Sequence, residues 1–463
     1  MSSSSAARPA ARQTEALLLL AVFLAAGLGF LLTSLASAVR NDQPLWLAAL
    51  PALVPPILLA LLFGGLHLVL RLKQAKAEQL LLPIVALLST IGLVMLWRLL
   101  GGSGVYQQLL RGFLPGAAVM AAFILRPQWV ERIRRWTLPV SLLGLGLALA
   151  TAFFGLVDET GARKELKLGP LPAIQTSEIL KLALIIFLAE YIAREAERAQ
   201  ARGRPVFGWL RLPAPRYFAP GLLFVAMATL ALVQMADFGA VLVLGCIFVG
   251  MLYAGFETRV FATVAAIGLV LALMVAGVLA FTWHIPTVMQ MRFIAFANPW
   301  STAELVVNGR HFGITVAQGP GYQIQQAIYA IIAGGLSGTG LGFGSPQYVP
   351  LAQSDFIFAA ILEEMGAVVG IAVLALFAIL LFRLLRLAVL LPREQTFERM
   401  LLTGIAFHLF IQMFIMVAGT LNLLPMTGIT IPFLSLGGMA LAINLAEVGI
   451  ALALSRRLEV LAA

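Results

Sequence analysis

About a dozen apolar windows, each close to the roughly 20 residues needed to cross a bilayer, run through this chain. They lie near 15–38, 45–70, 79–100, 108–125, 136–156, 172–193, 217–235, 237–255, 259–283, 355–385, 400–419 and 430–454. A backbone in hydrocarbon must satisfy its own hydrogen bonds, and the windows lack the short alternation of a membrane barrel. The expected fold is therefore all-α: a polytopic membrane protein with about 12 transmembrane helices. With 61% hydrophobic and 11% charged residues over 463, the composition excludes a set of soluble domains.

The net charge of +10 would suggest an anionic partner in a soluble protein, but here the basic residues must first be sorted by membrane side. If the N-terminus is cytoplasmic, roughly 22 of the 31 Lys and Arg face inward, including Arg71, Lys73, the run Arg194 to Arg216, and Arg456. The opposite orientation leaves few basic residues inside, so both termini are expected in the cytoplasm if the first span is retained, and nucleic acid is not an expected partner. Arg8, Arg12, the first apolar stretch and Ala36-Ser37-Ala38 also read as a cleaved signal peptide, although the stretch is long for one. Cleavage would leave every later segment on the same side.

In this orientation two loops face outward, a short one at 157–171 and a long one at 284–354. The basic, polar stretch Arg71 to Glu78 divides an N-terminal segment, 1–78, with two spans from the remainder, 79–463. Within the long loop, Gly319-Pro320-Gly321 and the glycine-rich run from Gly334 to Gly344 break regular structure, and Tyr322 to Ala333 between them reads as a short helix. Such glycines allow the close backbone approach of a phosphate-cradling loop, but the same spacing occurs in ordinary re-entrant turns and helix contacts.

Several charged residues stand where charge is costly. Asp355, Glu363 and Glu364 are set in the apolar run that follows the long loop, and an acid at membrane depth needs a partner, a proton or a wet cavity. Glu178 and Lys181, three apart on one helix face, read either as an internal ion pair or as part of an anion site in which Lys181 assists Arg163 and Lys164. Asp237, at a span boundary, reads as a helix cap or the partner of a basic residue as readily as a catalytic group. Arg292 lies in the outer loop, where positive charge is scarce. The four histidines, His67, His284, His311 and His408, form no i, i+4 pair, and the single Cys246 can form no internal disulfide, so no zinc site is expected. Neither a G-x-S-x-G elbow nor a Walker-type loop is present, which removes the usual sequence support for a hydrolase or a nucleotide-driven pump.

A series of blocks resembles one known family in its order. They are G-A-R at Gly161–Arg163, I-Q-T-S-E-I-L-K at Ile174–Lys181, A-D-F-G at Ala236–Gly239, and Q-M-R-F-I-A-F-A-N-P-W at Gln290–Trp300. G-Y-Q-I-Q-Q at Gly321–Gln326, G-G-L-S-G-T-G-L-G at Gly334–Gly342, S-D-F-I-F-A-A-I-L-E-E-M-G at Ser354–Gly366 and L-P-M-T-G-I-T-I-P-F-L-S-L-G-G at Leu424–Gly438 complete the series. From about Leu82 onward the chain resembles the SEDS (shape, elongation, division and sporulation) family of FtsW, RodA and SpoVE, which polymerise lipid II into peptidoglycan glycan strands. The resemblance implies a core of ten transmembrane helices over 79–463, with the two spans of 1–78 as an extension, and a class B penicillin-binding protein as partner.

It also implies a site. Family members carry a D-P-x-G-x-G-Y-Q stretch shortly after N-P-W, whose aspartate is regarded as catalytic. Here Asn298-Pro299-Trp300 is followed by S-T-A-E-L-V-V-N-G-R-H-F-G before Gly321-Tyr322 is reached, and the aspartate has no counterpart. Glu304 is then the expected base and Asp355 the alternative. A lipid-linked sugar pyrophosphate already holds a good leaving group, so the protein must deprotonate an acceptor hydroxyl, align it and stabilise the departing charge. Arg292, Arg163, Lys164 and Lys181 are the candidates for the pyrophosphate, and Gly321, Tyr322, Gln323 and Gln326 would shape the groove. Glu363 and Glu364 read as partners of inward-facing polar groups. No cofactor is expected; a divalent cation is compatible with the chemistry, although no ligand cluster supports one. Two other readings are a catalytically silent scaffold for a cell-wall synthase, suggested by the missing aspartate, and a flippase for the lipid-linked precursor, suggested by buried charges such as Glu178, Asp237 and Glu447.

Overall fold

The structure is a computed structural model that describes residues 12–73, 77–157, 162–167, 169, 173–201, 204–207, 210–212, 219–255 and 287–460. The expected span at 259–283, Gly161 and His284 lie outside these residues. Eight helical segments among the described residues are long and apolar enough to cross a membrane. One of them, Leu81–Leu125, runs for 45 residues. At about 1.5 Å per residue this is more than twice a ~30 Å hydrocarbon core. It is broken by Gly101, at φ 64° and ψ −154°, and by a π-helical turn at Leu109–Phe113, and so accounts for both windows expected there. The helices Thr176–Ala201 and Ala219–Gln234 follow two further windows. The chain is an all-α polytopic membrane protein.

One compact unit comprises residues 1–130, 340–343 and 436–463. Its helices Leu114–Leu125 and Gly438–Val460 approach closely because glycines face the partner on both sides. A Cβ at Gly116 would stand 2.9 Å from Ala442 Cα, and one at Gly449 would stand 2.7 Å from Met120 Cα. Lipid tails are as apolar as leucine, so helix association depends on such packing. The first two spans are fastened at one end by Glu15, which is fully buried, bonded to Arg12 and 2.6 Å from His67 Nδ1. Arg12 also donates to Ala77 O at 2.9 Å, which ties both helices to the start of the third span.

The second unit comprises residues 131–339 and 344–435. Helices Thr137–Phe154, Thr176–Ala201, Phe238–Gly255, Ile357–Leu390 and Thr396–Thr420 form its body. The long segment before Ile357 is more ordered than its glycines and prolines suggest, with a helix at Thr287–Ala297, a β-hairpin and a helix at Pro320–Gly334. The hairpin, Glu304–Val307 paired with Arg310–Thr315, turns at Asn308-Gly309, where both residues have positive φ (51° and 74°). That is the primed turn whose twist matches paired strands, and Asn-Gly is its usual sequence.

The glycine-rich run acts as a packing device. Gly334, Gly338 and Gly366 bring two backbones together: a Cβ at Gly334 would lie 2.0 Å from Leu362 O, and one at Gly366 would lie 2.3 Å from Leu336 O. Gly366 itself, at φ 81°, breaks the Ile357–Leu390 helix. The two segments exchange bonds from Ala367 N to Gly335 O, Val368 N to Leu336 O and Thr339 N to Glu363 O, at 2.9–3.2 Å. Of the readings open from sequence, this is the close helix contact.

Candidate functional site

The helix Thr287–Ala297 presents Thr287, Val288, Met291, Arg292 and Ala295 on one face, the spacing of a helical stripe. That face forms one wall of a cavity of about 540 Å³. The hairpin supplies a second wall through Leu305, Phe312 and Ile314, the last two sharing a strand face by their spacing of two. The first turn of the Pro320–Gly334 helix adds Gln323 and Ile324, and Leu351, Met426 and Asp355 close the remainder. The lining is thus apolar except at a few points, chiefly Arg292, Gln323 and Asp355, and Asp355 is the one carboxylate on it among the described residues.

Asp355 is aimed by a tight turn just before the Ile357–Leu390 helix. Leu351 adopts φ +57°, rare for a branched side chain, and its carbonyl accepts from Ser354 N at 3.0 Å and Phe356 N at 3.2 Å. Backbone strain of this kind persists where the surroundings over-determine it, often beside a functional group. Asp355 keeps partial exposure into the cavity and is otherwise enclosed by protein. Burial pushes its carboxyl above the usual aspartate range, against the pull of Lys164 and Arg292 and of the Ser354 hydroxyl. Two of the cations singled out in the sequence therefore act on this one acid.

Arg292 is held by an irregular strap, residues 424–435, that follows the Thr396–Thr420 helix. Its Nη1 donates to Thr427 O at 2.7 Å. Gly428, at φ +69°, lies between the two charged groups: a Cβ there would be 2.7 Å from Arg292 Nη2 and 3.4 Å from Asp355 Oδ2. The strap is fastened on the acid's side by Ser435, whose hydroxyl donates to Ser354 O at 2.7 Å and accepts from Ile431 N at 3.0 Å. On another side Gly239 of the A-D-F-G block presses on it, with a Cβ position only 2.9 Å from Thr427 O.

The remaining sequence candidates fall elsewhere. Glu304 begins the hairpin strand whose next residue, Leu305, faces the cavity; strand alternation therefore turns Glu304 to the outer face, where it is exposed and 3.0 Å from His311 Nδ1. That contact with His311 lowers its pKa. Arg163 is used structurally, donating to Phe153 O at 2.7 Å and Ala152 O at 3.2 Å at the end of the Thr137–Phe154 helix. Lys181 is fully buried, 2.8 Å from Glu178, and donates to Gln412 Oε1 at 3.1 Å. Asp237 caps the Phe238–Gly255 helix by accepting from Ala240 N at 3.2 Å. Glu363 accepts from Ser345 N at 2.7 Å, and Glu364 is buried, with its side chain close to Gly344.

Within the G-Y-Q-I-Q-Q block, Gln323 lines the cavity, whereas Tyr322 is exposed and Gln326 half-buried, both outside the lining. Gly321 allows close approach, since a Cβ there would lie 2.2 Å from Pro299 O. Gln412, Gly428, Ser435 and the hairpin's Phe312 were not singled out in the sequence. For the hairpin the signal was available in Asn308-Gly309, flanked by alternating apolar residues.

The profile of the cell cycle protein family of FtsW, RodA and SpoVE matches residues 78–459. The chain belongs to this family. It is 33% identical to the peptidoglycan glycosyltransferase RodA of Mycobacterium tuberculosis (strain ATCC 25618 / H37Rv) over 394 residues, covering 83% of this chain and 79% of that protein. It is 31% identical to the stage V sporulation protein E of Bacillus subtilis (strain 168) over 401 residues, covering 83% of this chain and 98% of the relative. Two solved structures share the family fold. A chain in a structure described as the structural coordination of polymerization and crosslinking by a peptidoglycan synthase complex matches with a TM-score of 0.63 at 24% identity, over 82% of this chain and 98% of that one. The rod shape determining protein RodA of Thermus thermophilus matches with a TM-score of 0.55 at 22% identity, over 82% and 97%.

Proposed function

We propose that this chain is a peptidoglycan glycosyltransferase that polymerises lipid II, with Asp355 as the base. The observation that carries the assignment is the acid itself: a carboxylate with a raised pKa on the wall of an otherwise apolar cavity, drawn on by Arg292 and Lys164. A base is most effective when its pKa approaches the working pH, and burial shifts Asp355 upward, in that direction. Asp355 takes the proton of the acceptor hydroxyl as that oxygen attacks the anomeric carbon of the donor sugar. The bond from that carbon to the pyrophosphate oxygen breaks, and Arg292 and Lys164 stabilise the charge that develops on the leaving group. The positive end of the Pro320–Gly334 helix, whose first turn reaches the cavity, acts in the same sense.

The basic-residue distribution supports an outward-facing site with both termini in the cytoplasm, and the bacterial relatives support a bacterial cell membrane as the location. The two spans of residues 1–78 are an extension of the ten-span core, and a class B penicillin-binding protein is the partner in this reading. The test is polymerisation of labelled lipid II by the purified full-length chain. Asp355→Asn should lower the rate by about a hundredfold or more. If the Asn variant extends chains as fast as the wild type, Asp355 is not the base; if neither protein makes product but labelled lipid crosses between leaflets, the activity is that of a flippase.

A further inference from the structure

Arg292 and Asp355 come from segments more than sixty residues apart in sequence, and the transfer reaction needs them at a set separation. The strap that holds them, residues 424–435, has no helix or strand of its own. Irregular backbone at membrane depth is tolerated where it is buried in protein, and its carbonyls then need partners from that protein. Such a partner is provided by Gln412 from the middle of the Thr396–Thr420 helix. It is fully buried, and its Nε2 donates to Thr430 O at 2.8 Å and lies 3.2 Å from Thr430 Oγ1. Three residues earlier, Thr427 O carries Arg292.

The orientation of the Gln412 amide is decided by a charge. Its Oε1 accepts from Lys181 Nζ at 3.1 Å, and Lys181 is neutralised by Glu178 at 2.8 Å. A flipped amide would point its N–H group at an ammonium, so the lysine forces the amide nitrogen toward Thr430. A glutamine both accepts and donates across one side chain; a glutamate at this place would only accept, a lysine only donate, and a methionine do neither. A buried pair outside the cavity lining is thereby connected to the strap through one side chain.

We propose that Gln412 is a positioning residue for the transfer reaction: anchored by the Lys181–Glu178 pair, it fixes the Thr427–Thr430 strap and hence the placement of Arg292 against Asp355. This rests on the assignment of Asp355 and Arg292 to the site. Gln412→Glu is the informative variant, because it keeps an acceptor for Lys181 and loses the donor to Thr430; Gln412→Met keeps the volume and loses both. Full-length proteins are compared for lipid II polymerisation across pH and for thermal unfolding in the same detergent.

Both variants should lose about ten- to a hundredfold in kcat with KM little changed. The acid limb of the pH–rate profile should move to higher pH, because a loosened Arg292 draws less on Asp355 while Lys164, the other cation acting on it, remains in place. A Gln412→Glu protein with wild-type kcat and an unmoved acid limb overturns the proposal, as does a loss that follows the fall in unfolding temperature with no pH shift. Asp355→Asn and Arg292→Gln, run in parallel, separate the two claims. If both stay active, the site reading itself fails; if both are inactive and Gln412→Glu is unimpaired, only the role of Gln412 is lost.

Discussion

Replacing Gly428 by alanine tests the strap at its narrowest point. Gly428 has φ +69°, where a Cβ is strained by about 1–2 kcal/mol. A stiffer unfolded chain offsets about 0.4–1 kcal/mol of this, so the net effect on stability is small. The effect on geometry is larger. The new Cβ would sit 2.7 Å from Arg292 Nη2, against the 3.4 Å at which ordinary contact begins, so the guanidinium must retreat by roughly 0.7 Å. As the free end of a flexible side chain, it yields before the backbone does. The movement is directed at the 2.7 Å bond to Thr427 O, a charge-assisted contact of a kind that contributes about 1.5–3 kcal/mol. Losing that alignment corresponds to about ten- to a hundredfold in rate. Initial rates of lipid II polymerisation, measured beside thermal unfolding in detergent, separate the two effects: the rate should fall by that factor while the melting temperature changes by a few degrees. A Gly428→Ala protein that polymerises at the wild-type rate would refute the claim that the Arg292 position matters.

Other substitutions probe other parts of the site. Glu304→Gln removes an exposed carboxylate on the outer face of the hairpin, so polymerisation should stay within about twofold of wild type; a loss matching that of Asp355→Asn would return the base to Glu304. The raised pKa of Asp355 sets a sign for pH. Activity should disappear as pH falls through that raised value, so the acid limb of the rate profile should lie above the ordinary aspartate range. The same shift means that Asp355 costs the folded state nothing below its unfolded pKa and progressively more as pH rises to the folded value. Asp355→Asn should therefore melt higher than wild type at neutral pH, with the difference closing in acid, and equal melting curves at neutral pH would contradict the burial argument. At the contact between the glycine run and the Ile357–Leu390 helix, Gly334→Ala would bring a Cβ to 2.0 Å from a carbonyl oxygen and disturb three backbone bonds, for a loss of about 2–4 kcal/mol that thermal unfolding in detergent should register.

Much of the site's chemistry was legible as residue types in costly places. Asp355 and Arg292 were conspicuous because charge is rare in and beside apolar runs, and both line the cavity. Glu304 was read from its distance after Trp300, and there linear spacing misleads: a strand sends neighbouring residues to opposite faces, so Leu305 meets the cavity and Glu304 meets water. Lys181 was open to two readings, an internal ion pair with Glu178 or a third cation beside Arg163 and Lys164, and the structure shows the ion pair. Arg163 binds the carbonyls at a helix end and Lys181 is buried against Glu178, while Lys164 acts on Asp355.

The sequence alone determined the class of fold, the membrane segments among the described residues and the family, because each follows from local composition or from ordered blocks of residues: about 20 apolar residues make a span wherever they occur. Tertiary structure decided which charges meet. Arg292, Asp355, Thr427 and Gln412 come from four segments, brought together by a strap whose shape rests on single hydrogen bonds and on glycines that admit no side chain. Contacts of that kind depend on distances of a few tenths of an ångström between residues far apart in the chain, and no spacing along the sequence encodes them.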